Sequence, residues 1–225
     1  WPHLVQQLAD FAAQQVAASG ERVFLVGHSL GGILSVMAAA QHPQLARGVL
    51  MLDSPLISGW RATTVGVAKH TQIVGAWSPG RVSRQRRISW ASTAEALEHF
   101  GKKKVFAHWD PQVLRDYVTH GLHDEDGRRV LGFDRAVETA IYNTLPHNLD
   151  RLLRRHPLRC PAAFIGGLAS MEMRQVGMAL TQRVTGGRIM MLDGSHLFPM
   201  EQPLATAAAI EAALLNLAAL PSAGH

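Results

Sequence analysis

One short stretch of the chain, residues 22–35, constrains the fold more than any other. Four apolar residues, Val23–Val26, run into the sequence Gly27-His28-Ser29-Leu30-Gly31, and small and apolar residues follow at helical spacing. This order predicts a buried strand, a sharp turn and a helix. We expect a strained backbone at Ser29. We also expect the glycines at positions 27 and 31 to be required, because a side chain at either would collide where the strand and helix cross.

The rest of the chain alternates between strand and helix patterns, which predicts a parallel α/β sheet. Helices are predicted over 2–18, 30–41, 171–184 and 202–219, and strands over 22–26, 48–52, 162–165 and 188–192. Residues 57–157 lack strand-like runs and carry short helical patterns around 92–101, 110–119 and 134–142. We therefore predict a core built from 1–56 and 158–225, with a helical insertion over 57–157. Within that insertion, 121–127 is predicted to be an exposed turn.

Composition narrows the class of protein further. A length of 225 residues favours one domain with a large insertion, and 47% hydrophobic residues supply a core. No apolar run approaches the roughly 20 residues that span a bilayer, and no secretory signal opens the sequence. The single cysteine, Cys160, excludes an internal disulfide and suits a reducing compartment, so we expect a cytoplasmic protein.

The net charge of +5 is locally concentrated, at Arg81–Arg87 and Lys102–Lys104. Neither a basic face interleaved with aromatic residues nor a known nucleic-acid module accompanies it, so we expect a solvated surface and no nucleic-acid partner. No group of histidines, cysteines and carboxylates shows the spacing of metal ligands, so no metal or other cofactor is expected. The sequence leaves the oligomeric state open.

A second motif stands near the C-terminus, directly after the last predicted strand. It reads Asp193-Gly194-Ser195-His196-Leu197-Phe198-Pro199-Met200-Glu201-Gln202-Pro203. Together with the Gly27-His28-Ser29-Leu30-Gly31 turn, it resembles the α/β-hydrolase superfamily, in its serine esterase and lipase branch, from Leu4 to the C-terminus. The resemblance implies an α/β-hydrolase fold with a helical cap over 57–157, Ser29 as nucleophile and His196 as general base. A serine hydroxyl needs such a base because it is a weak nucleophile at neutral pH.

The third member of the triad, a carboxylate that orients the histidine, is less well defined. The family usually places it after the strand that ends at Gly167, but this sequence has Ser170 there. Asp53 ends the strand after the first helix of the motif, a position that some members use. Glu172 lies two residues beyond the usual position and has a longer side chain. We favour Asp53 and keep Glu172 as the alternative.

The same resemblance implies an oxyanion hole and an acyl pocket. The backbone N–H of Leu30 is one expected oxyanion donor. A second donor usually lies in early strands that precede the motif, and we expect those strands to be absent from this chain. The residues predicted to contact substrate are His28, Trp60, Trp109, Phe133, Tyr142 and Leu197.

The predicted function is hydrolysis of a small apolar carboxylic ester through an acyl-enzyme. Thioesterase, lactonase or C–C bond hydrolase activity would use the same three residues, so these reactions remain alternatives. A different class also remains open, which is a hydrolase-fold binding or receptor protein with little turnover.

Overall fold

The computed structural model describes residues 1–57, 79–146 and 148–220. The chain divides into two compact units. The first unit contains the described residues of 1–66, 146–199 and 204–225, and the second contains those of 67–145 and 200–203. The domain boundaries predicted from the sequence, at 57 and 157, stay a prediction.

The described strands and helices follow one another along the chain in a regular order. The strands are β1 Val23–His28, β2 Ala46–Leu52, β3 Ser89–Trp90, β4 Leu122–Glu125, β5 Arg128–Leu131, β6 Ala162–Gly167 and β7 Ile189–Leu192. The α-helices are α1 Pro2–Ser19, α2 Leu30–Gln41, α3 Pro79–Arg84, α4 Thr93–Gly101, α5 Pro111–His120, α6 Arg135–Asn143, α7 Leu149–Arg155, α8 Met171–Val176, α9 Ala179–Thr185, α10 Phe198–Glu201 and α11 Pro203–Ala219. A 3₁₀ turn covers Lys104–Phe106.

A parallel sheet forms the centre of the first unit. Its described strands lie in the order β1-β2-β6-β7, and each pair is parallel. Neighbouring residues of β2 enter different apolar clusters, Val49 and Met51 in one, Leu50 and Leu52 in the other. This alternation follows from the two-residue period of a strand and shows that both faces of β2 are covered. The predicted α/β fold with a parallel sheet is confirmed.

The helices of the first unit begin and end where the backbone chemistry predicts. α1 has Pro2 in its first turn and ends at Gly20, whose φ of 73° is left-handed. The helix predicted over 171–184 is instead two helices, α8 and α9. Gly177 separates them with a φ of 79°, a conformation that a continuing helix does not allow.

The second unit corrects the prediction of a purely helical insertion. Its described residues include a three-stranded antiparallel sheet in the order β3-β5-β4. The stretch predicted as an exposed turn is a hairpin, with Asp126 (φ 48°) and Gly127 (φ 72°) between β4 and β5. Asp-Gly is a favoured two-residue hairpin turn, because both positions need positive φ. Short, polar strands of four residues explain why no hydrophobic alternation reveals them.

The second unit also has a hydrophobic core of its own, in which aromatic and aliphatic side chains pack together. Trp90, Phe100, Val118, Leu122 and Leu131 are buried together there. Among the residues that the structure describes in either unit, no helix combines the length and the apolar character needed to cross a membrane.

Candidate active site

The turn between β1 and α2 holds Ser29 in a rare backbone conformation. Its φ of 53° and ψ of −120° lie outside the regions that a residue with a side chain normally adopts. Such strain costs about 1–3 kcal/mol and persists only where the surroundings enforce it. Here the Ser29 N–H donates to the Leu52 carbonyl at 2.9 Å, and the Ser54 hydroxyl donates to the Ser29 carbonyl at 2.6 Å. The end of β2 therefore fixes both backbone groups of the strained residue.

The glycines around Ser29 have different reasons to be there. A Cβ on Gly27 would lie 2.2 Å from the backbone carbon of Gly31, and one on Gly32 would lie 2.2 Å from Ser54 Oγ. A Cβ on Gly31 would meet nothing within 4 Å. The expectation of a collision is thus correct for position 27 and wrong for position 31. Gly32, rather than Gly31, is the second glycine that close packing requires.

Three side chains from distant parts of the first unit meet next to this turn. His196 Nε2 lies 3.0 Å from Ser29 Oγ, and its Nδ1 lies 2.6 Å from Asp53 Oδ2. Ser29 follows β1, Asp53 follows β2 and His196 follows β7, so all three stand at the carboxyl ends of parallel strands. Ligands bind at this edge in open α/β sheets. The arrangement can pass a proton between a hydroxyl and an imidazole whose far nitrogen is held by a carboxylate.

Asp53 is fully buried, yet every oxygen of its carboxylate has a donor. The Gly167 N–H donates to Oδ1 at 2.9 Å, and the Ser170 hydroxyl donates to Oδ2 at 2.6 Å, beside His196 Nδ1. Burial alone would raise the pKa of Asp53, but the bonds from His196, Ser170 and Gly167 lower it below its ordinary value. Asp53 is therefore held as a carboxylate. Its backbone φ of 43° is a conformation that Asp tolerates better than most residues.

Glu172, the alternative acid, lies near the same histidine but does not bond to it. Its Oε2 is 3.9 Å from His196 Nδ1, and 41% of the Glu172 side chain is exposed. A contact of 3.9 Å is beyond hydrogen-bond range, whereas the 2.6 Å contact of Asp53 is within it. Of the two candidate acids, the structure brings Asp53 into the bonded position.

His28, one of the residues predicted to contact substrate, packs against His196. Its Nε2–H donates to the backbone carbonyl of His196 at 2.7 Å, and the two rings are 4.8 Å apart. Burial lowers the pKa of His28, although the bond to the carbonyl opposes that effect. A neutral His28 thus ties the turn at Ser29 to the loop that carries the histidine. Leu197, also predicted to contact substrate, is the partly buried neighbour of His196 in that loop.

Three of the remaining residues predicted for the pocket belong to the second unit. Trp109 is one of them: its ring packs tilted against Phe106, with centroids 4.6 Å apart, and edge-on against Tyr117, with centroids 5.6 Å apart. Phe133 and Tyr142 are also in that unit, and Phe133 is 41% exposed. Trp60 lies outside the described residues. For these four side chains, contact with substrate stays a prediction.

Asp53, Glu172 and His196 also form a group whose ligand atoms all lie within 4.8 Å, the kind of group that can hold a metal ion. The 2.6 Å spacing of Oδ2 and Nδ1 matches a shared proton. Two ligands of one tetrahedral zinc, at bond lengths of about 2 Å each, stand farther apart than that. The geometry is that of a hydrogen-bonded pair.

Sequence reasoning missed two residues of this site. Ser54 fixes the Ser29 backbone, and Ser170 donates to Asp53. Both positions follow the end of a strand, which is a signal that could have drawn attention to them. Ser170 also occupies the position where the family usually has its acid, whereas a serine after a strand is so common in turns that the sequence gives no reason to choose Ser54.

A parallel α/β sheet with a serine–histidine–carboxylate arrangement at its edge is typical of α/β-hydrolases. Comparison with known proteins identifies the family. A profile described as the alpha/beta hydrolase family matches residues 1–209. The chain belongs to that family. No curated protein sequence matches the chain.

Solved structures give the same picture at low sequence identity. The chain is similar to E-2-(acetamidomethylene)succinate hydrolase, with 21% identity and a TM-score of 0.66 over 93% of this chain and 73% of the other. It is similar to the peroxisomal α/β-hydrolase Lpx1 of Saccharomyces cerevisiae, with 15% identity and a TM-score of 0.69 over 98% and 61%. It is also similar to an esterase of Mycobacterium tuberculosis, with 18% identity and a TM-score of 0.58 over 93% and 67%. At these identities the likeness shows the fold alone.

Proposed function

We propose that the protein is a serine hydrolase that cleaves a carboxylic ester through an acyl-enzyme. One observation carries the proposal, which is the continuous hydrogen-bonded chain from Ser29 Oγ through both nitrogens of His196 to Asp53 Oδ2. The strained backbone of Ser29 supports it, because such strain concentrates at functional sites. Membership of the alpha/beta hydrolase family supports hydrolysis as the general type of reaction.

In the proposed reaction, Ser29 Oγ attacks the ester carbonyl while His196 Nε2 takes its proton. The Asp53 carboxylate keeps the Nδ1–H tautomer of His196 and stabilises the imidazolium that forms. His196 then gives the proton to the departing alcohol, which leaves Ser29 acylated. Water enters, loses a proton to His196 and attacks the acyl group, so that the acid is released and Ser29 regains its proton.

Charge on the carbonyl oxygen develops near the start of α2 in this mechanism. The first N–H groups of a helix have no acceptor within the helix, so the N–H of Leu30 is suited to donate to that oxygen. The helix dipole adds partial positive charge at the same end. Asp53 stays ionised throughout, in accord with the lowered pKa of its carboxyl.

Two measurements test the proposal together. Hydrolysis of p-nitrophenyl esters from acetate to octanoate reports turnover, and a fluorophosphonate probe followed by peptide mass spectrometry reports a nucleophilic serine. We expect turnover and labelling at Ser29, both lost in Ser29→Ala. Retention of activity in Ser29→Ala would reject the mechanism. A protein that binds the esters stoichiometrically without turnover or labelling would instead be a binding protein of this fold.

A thioester is the second candidate substrate, because a thioesterase domain from the curacin biosynthetic pathway is among the similar structures, with a TM-score of 0.62. Acyl-N-acetylcysteamine substrates distinguish thioester hydrolysis from oxygen-ester hydrolysis. The released thiol is measured with a chromogenic thiol reagent. A kcat/KM for the thioester at least about tenfold above that for the matched oxygen ester would favour thioesterase chemistry, since tenfold corresponds to 1.4 kcal/mol of transition-state preference. Lactones and C–C substrates are tested in the same panel.

Three further expectations belong to this proposal. Residues 57–157 form a cap for the site, and the aromatic residues Trp60, Trp109, Phe133 and Tyr142 line an apolar acyl pocket. The substrate is then a small apolar ester. A cytoplasmic location is supported by the single, buried Cys160, since such a chain has no need of an oxidising compartment.

A further inference from the structure

Ser170 connects the carboxylate of Asp53 to the first turn of α8. The side chain is fully buried, and its hydroxyl lies 2.6 Å from Asp53 Oδ2 and 3.4 Å from Glu172 Oε2. The same oxygen accepts the N–H of Met173 at 3.3 Å, as the N-cap of α8. A single serine thus faces both carboxylates that could serve His196.

A hydroxyl has one proton to donate, so the two carboxylates compete for it. The distances of 2.6 Å and 3.4 Å assign the proton to Asp53. Asp53 Oδ2 then receives two donors, Ser170 Oγ–H and His196 Nδ1–H, while Gly167 serves Oδ1. Because a buried carboxylate is stable only when it is bonded in this way, each donor helps to fix the plane of the group.

We propose that Ser170 is a positioning residue of the site: its hydroxyl holds Asp53 Oδ2 against His196 Nδ1 and so makes Asp53, rather than Glu172, the acid. The inference deepens the proposed function and rests on it for its effect on turnover. Its effect on the histidine itself does not depend on turnover.

Position 170 is a second place from which a carboxylate can accept the hydrogen bond from His196 Nδ1. Ser170 Oγ and His196 Nδ1 bond to the same oxygen, so they are neighbours across it. An aspartate at 170 extends one bond farther than serine and still accepts the Met173 N–H as a cap. With a neutral residue at 53, such a carboxylate takes over the bond to Nδ1. With Asp53 present, two buried carboxylates oppose each other.

The test uses Ser170→Ala, Ser170→Thr, Asp53→Asn and the double variant Asp53→Asn/Ser170→Asp. The first readout is the tautomer of His196, measured by ¹⁵N chemical shifts of the labelled ring. We expect the Nδ1–H form in the parent protein and in Ser170→Thr, a mixture of the two neutral tautomers in Ser170→Ala, loss of the Nδ1–H form in Asp53→Asn and its return in the double variant. A double variant that keeps the tautomer of Asp53→Asn overturns the proposal.

The second readout is ester hydrolysis. Loss of one hydrogen bond to a charged group predicts that Ser170→Ala lowers kcat about tenfold, with KM nearly unchanged. The double variant recovers at least about tenfold over Asp53→Asn, by the same hydrogen-bond magnitude.

A cap role alone gives a different pattern, which a matched control defines. Ser92 belongs to the second unit and caps α4 by accepting the Glu95 N–H. Ser92→Ala lowers the unfolding midpoint as a lost cap does but leaves the tautomer of His196 and kcat unchanged. If Ser170→Ala behaves like Ser92→Ala, the positioning role is wrong. If the tautomers follow the expectation but no variant turns over any ester, the proposed function fails and the assignment of Ser170 stands.

Discussion

The hydroxyl of Ser54 donates a 2.6 Å hydrogen bond to the backbone carbonyl of Ser29, the residue with the strained backbone. Ser54 is 1% exposed, and the same carbonyl also accepts the backbone N–H groups of Gly32 at 3.1 Å and Ile33 at 3.4 Å. Asp53, the neighbour of Ser54, bonds to His196 in the same site. One tripeptide, 52–54, therefore holds the backbone of the proposed nucleophile and supplies the proposed acid.

We expect Ser54→Ala to lower the free energy of unfolding by about 0.5–1.5 kcal/mol, the net contribution of one hydrogen bond, because Gly32 and Ile33 still donate to the carbonyl. Ester turnover should fall as well, since Ser29 loses a contact that maintains its conformation. Urea unfolding and p-nitrophenyl ester kinetics measure the two effects. The matched control is Ser83→Ala, another fully buried serine, which bonds to Thr139 in the second unit. A fall in stability with unchanged turnover in Ser54→Ala would contradict the link to Ser29.

The glycines of the turn make a sharp comparison possible. Gly27→Ala and Gly32→Ala each place a methyl group about 2.2 Å from another atom, backbone in the first case and Ser54 Oγ in the second. We expect each to cost about 3 kcal/mol, as severe overpacking does. Gly31→Ala meets open space and should leave stability within about 1 kcal/mol, since alanine is the better helix former. Thermal unfolding of the three variants ranks them, and equal losses at 31 and 32 would refute the steric reading.

Replacement of the two carboxylates near His196 tests which one is the acid. Asp53→Asn should lower kcat by about 10⁴-fold, the effect of losing the tautomer-fixing carboxylate in serine hydrolases. Asparagine tolerates the positive φ at position 53, so the backbone is preserved. Glu172→Gln should change kcat by less than about threefold, because its carboxylate is outside hydrogen-bond range of the ring. The reverse ranking would move the role to Glu172.

The buried His28 predicts a pH dependence of stability. Burial lowers the pKa of His28 in the folded protein below its ordinary value of 6.5, so the unfolded chain binds more protons between those two values. The stabilising contribution is complete above pH 6.5 and is lost as the pH falls through the folded pKa. His196, Asp53 and Glu172 are the titratable groups that act on His28. In His28→Gln, which keeps a donor for the His196 carbonyl, urea unfolding between pH 7.5 and 5 should show a smaller loss of stability than in the parent.

Cys160 should be an unreactive thiol in the folded protein. It is buried, and burial raises its pKa to about 11, so that about 0.1% is thiolate at pH 8. We expect a chromogenic disulfide reagent to react with the native protein far more slowly than with the protein in guanidinium. Fast reaction of native protein at pH 8 would show that β6 and its surroundings open locally.

The sequence predicts the sheet well because buried parallel strands and the glycine-flanked Ser29 have strong local patterns. It does not decide between Asp53 and Glu172, because that choice depends on distances across three strands and on the hydroxyl of Ser170. Likewise, the need for glycine at position 32 depends on its close approach to Ser54, which follows β2, and to the Gly27 carbonyl.

Elsewhere the local signal was present but weak. The Asp126-Gly127 pair marks a hairpin, but its short strands show no alternation of apolar and polar residues. Gly177 divides a stretch whose apolar spacing is helical on both sides. In both places a positive φ at one or two residues, rather than a pattern of burial, determines the structure.

Ser29 and Asp53 follow consecutive strands, so one uninterrupted β1-α2-β2 segment supplies both before the chain enters the second unit. A carboxylate after β6 would instead be separated from Ser29 in the sequence by all residues of the second unit between β2 and β6. With the present order, a change in the length or sequence of the inserted residues does not alter the number of residues between Ser29 and Asp53. Residues 23–54 thus form one continuous segment that supplies both Ser29 and Asp53. Directed evolution of the inserted residues toward new substrates can leave this segment unchanged.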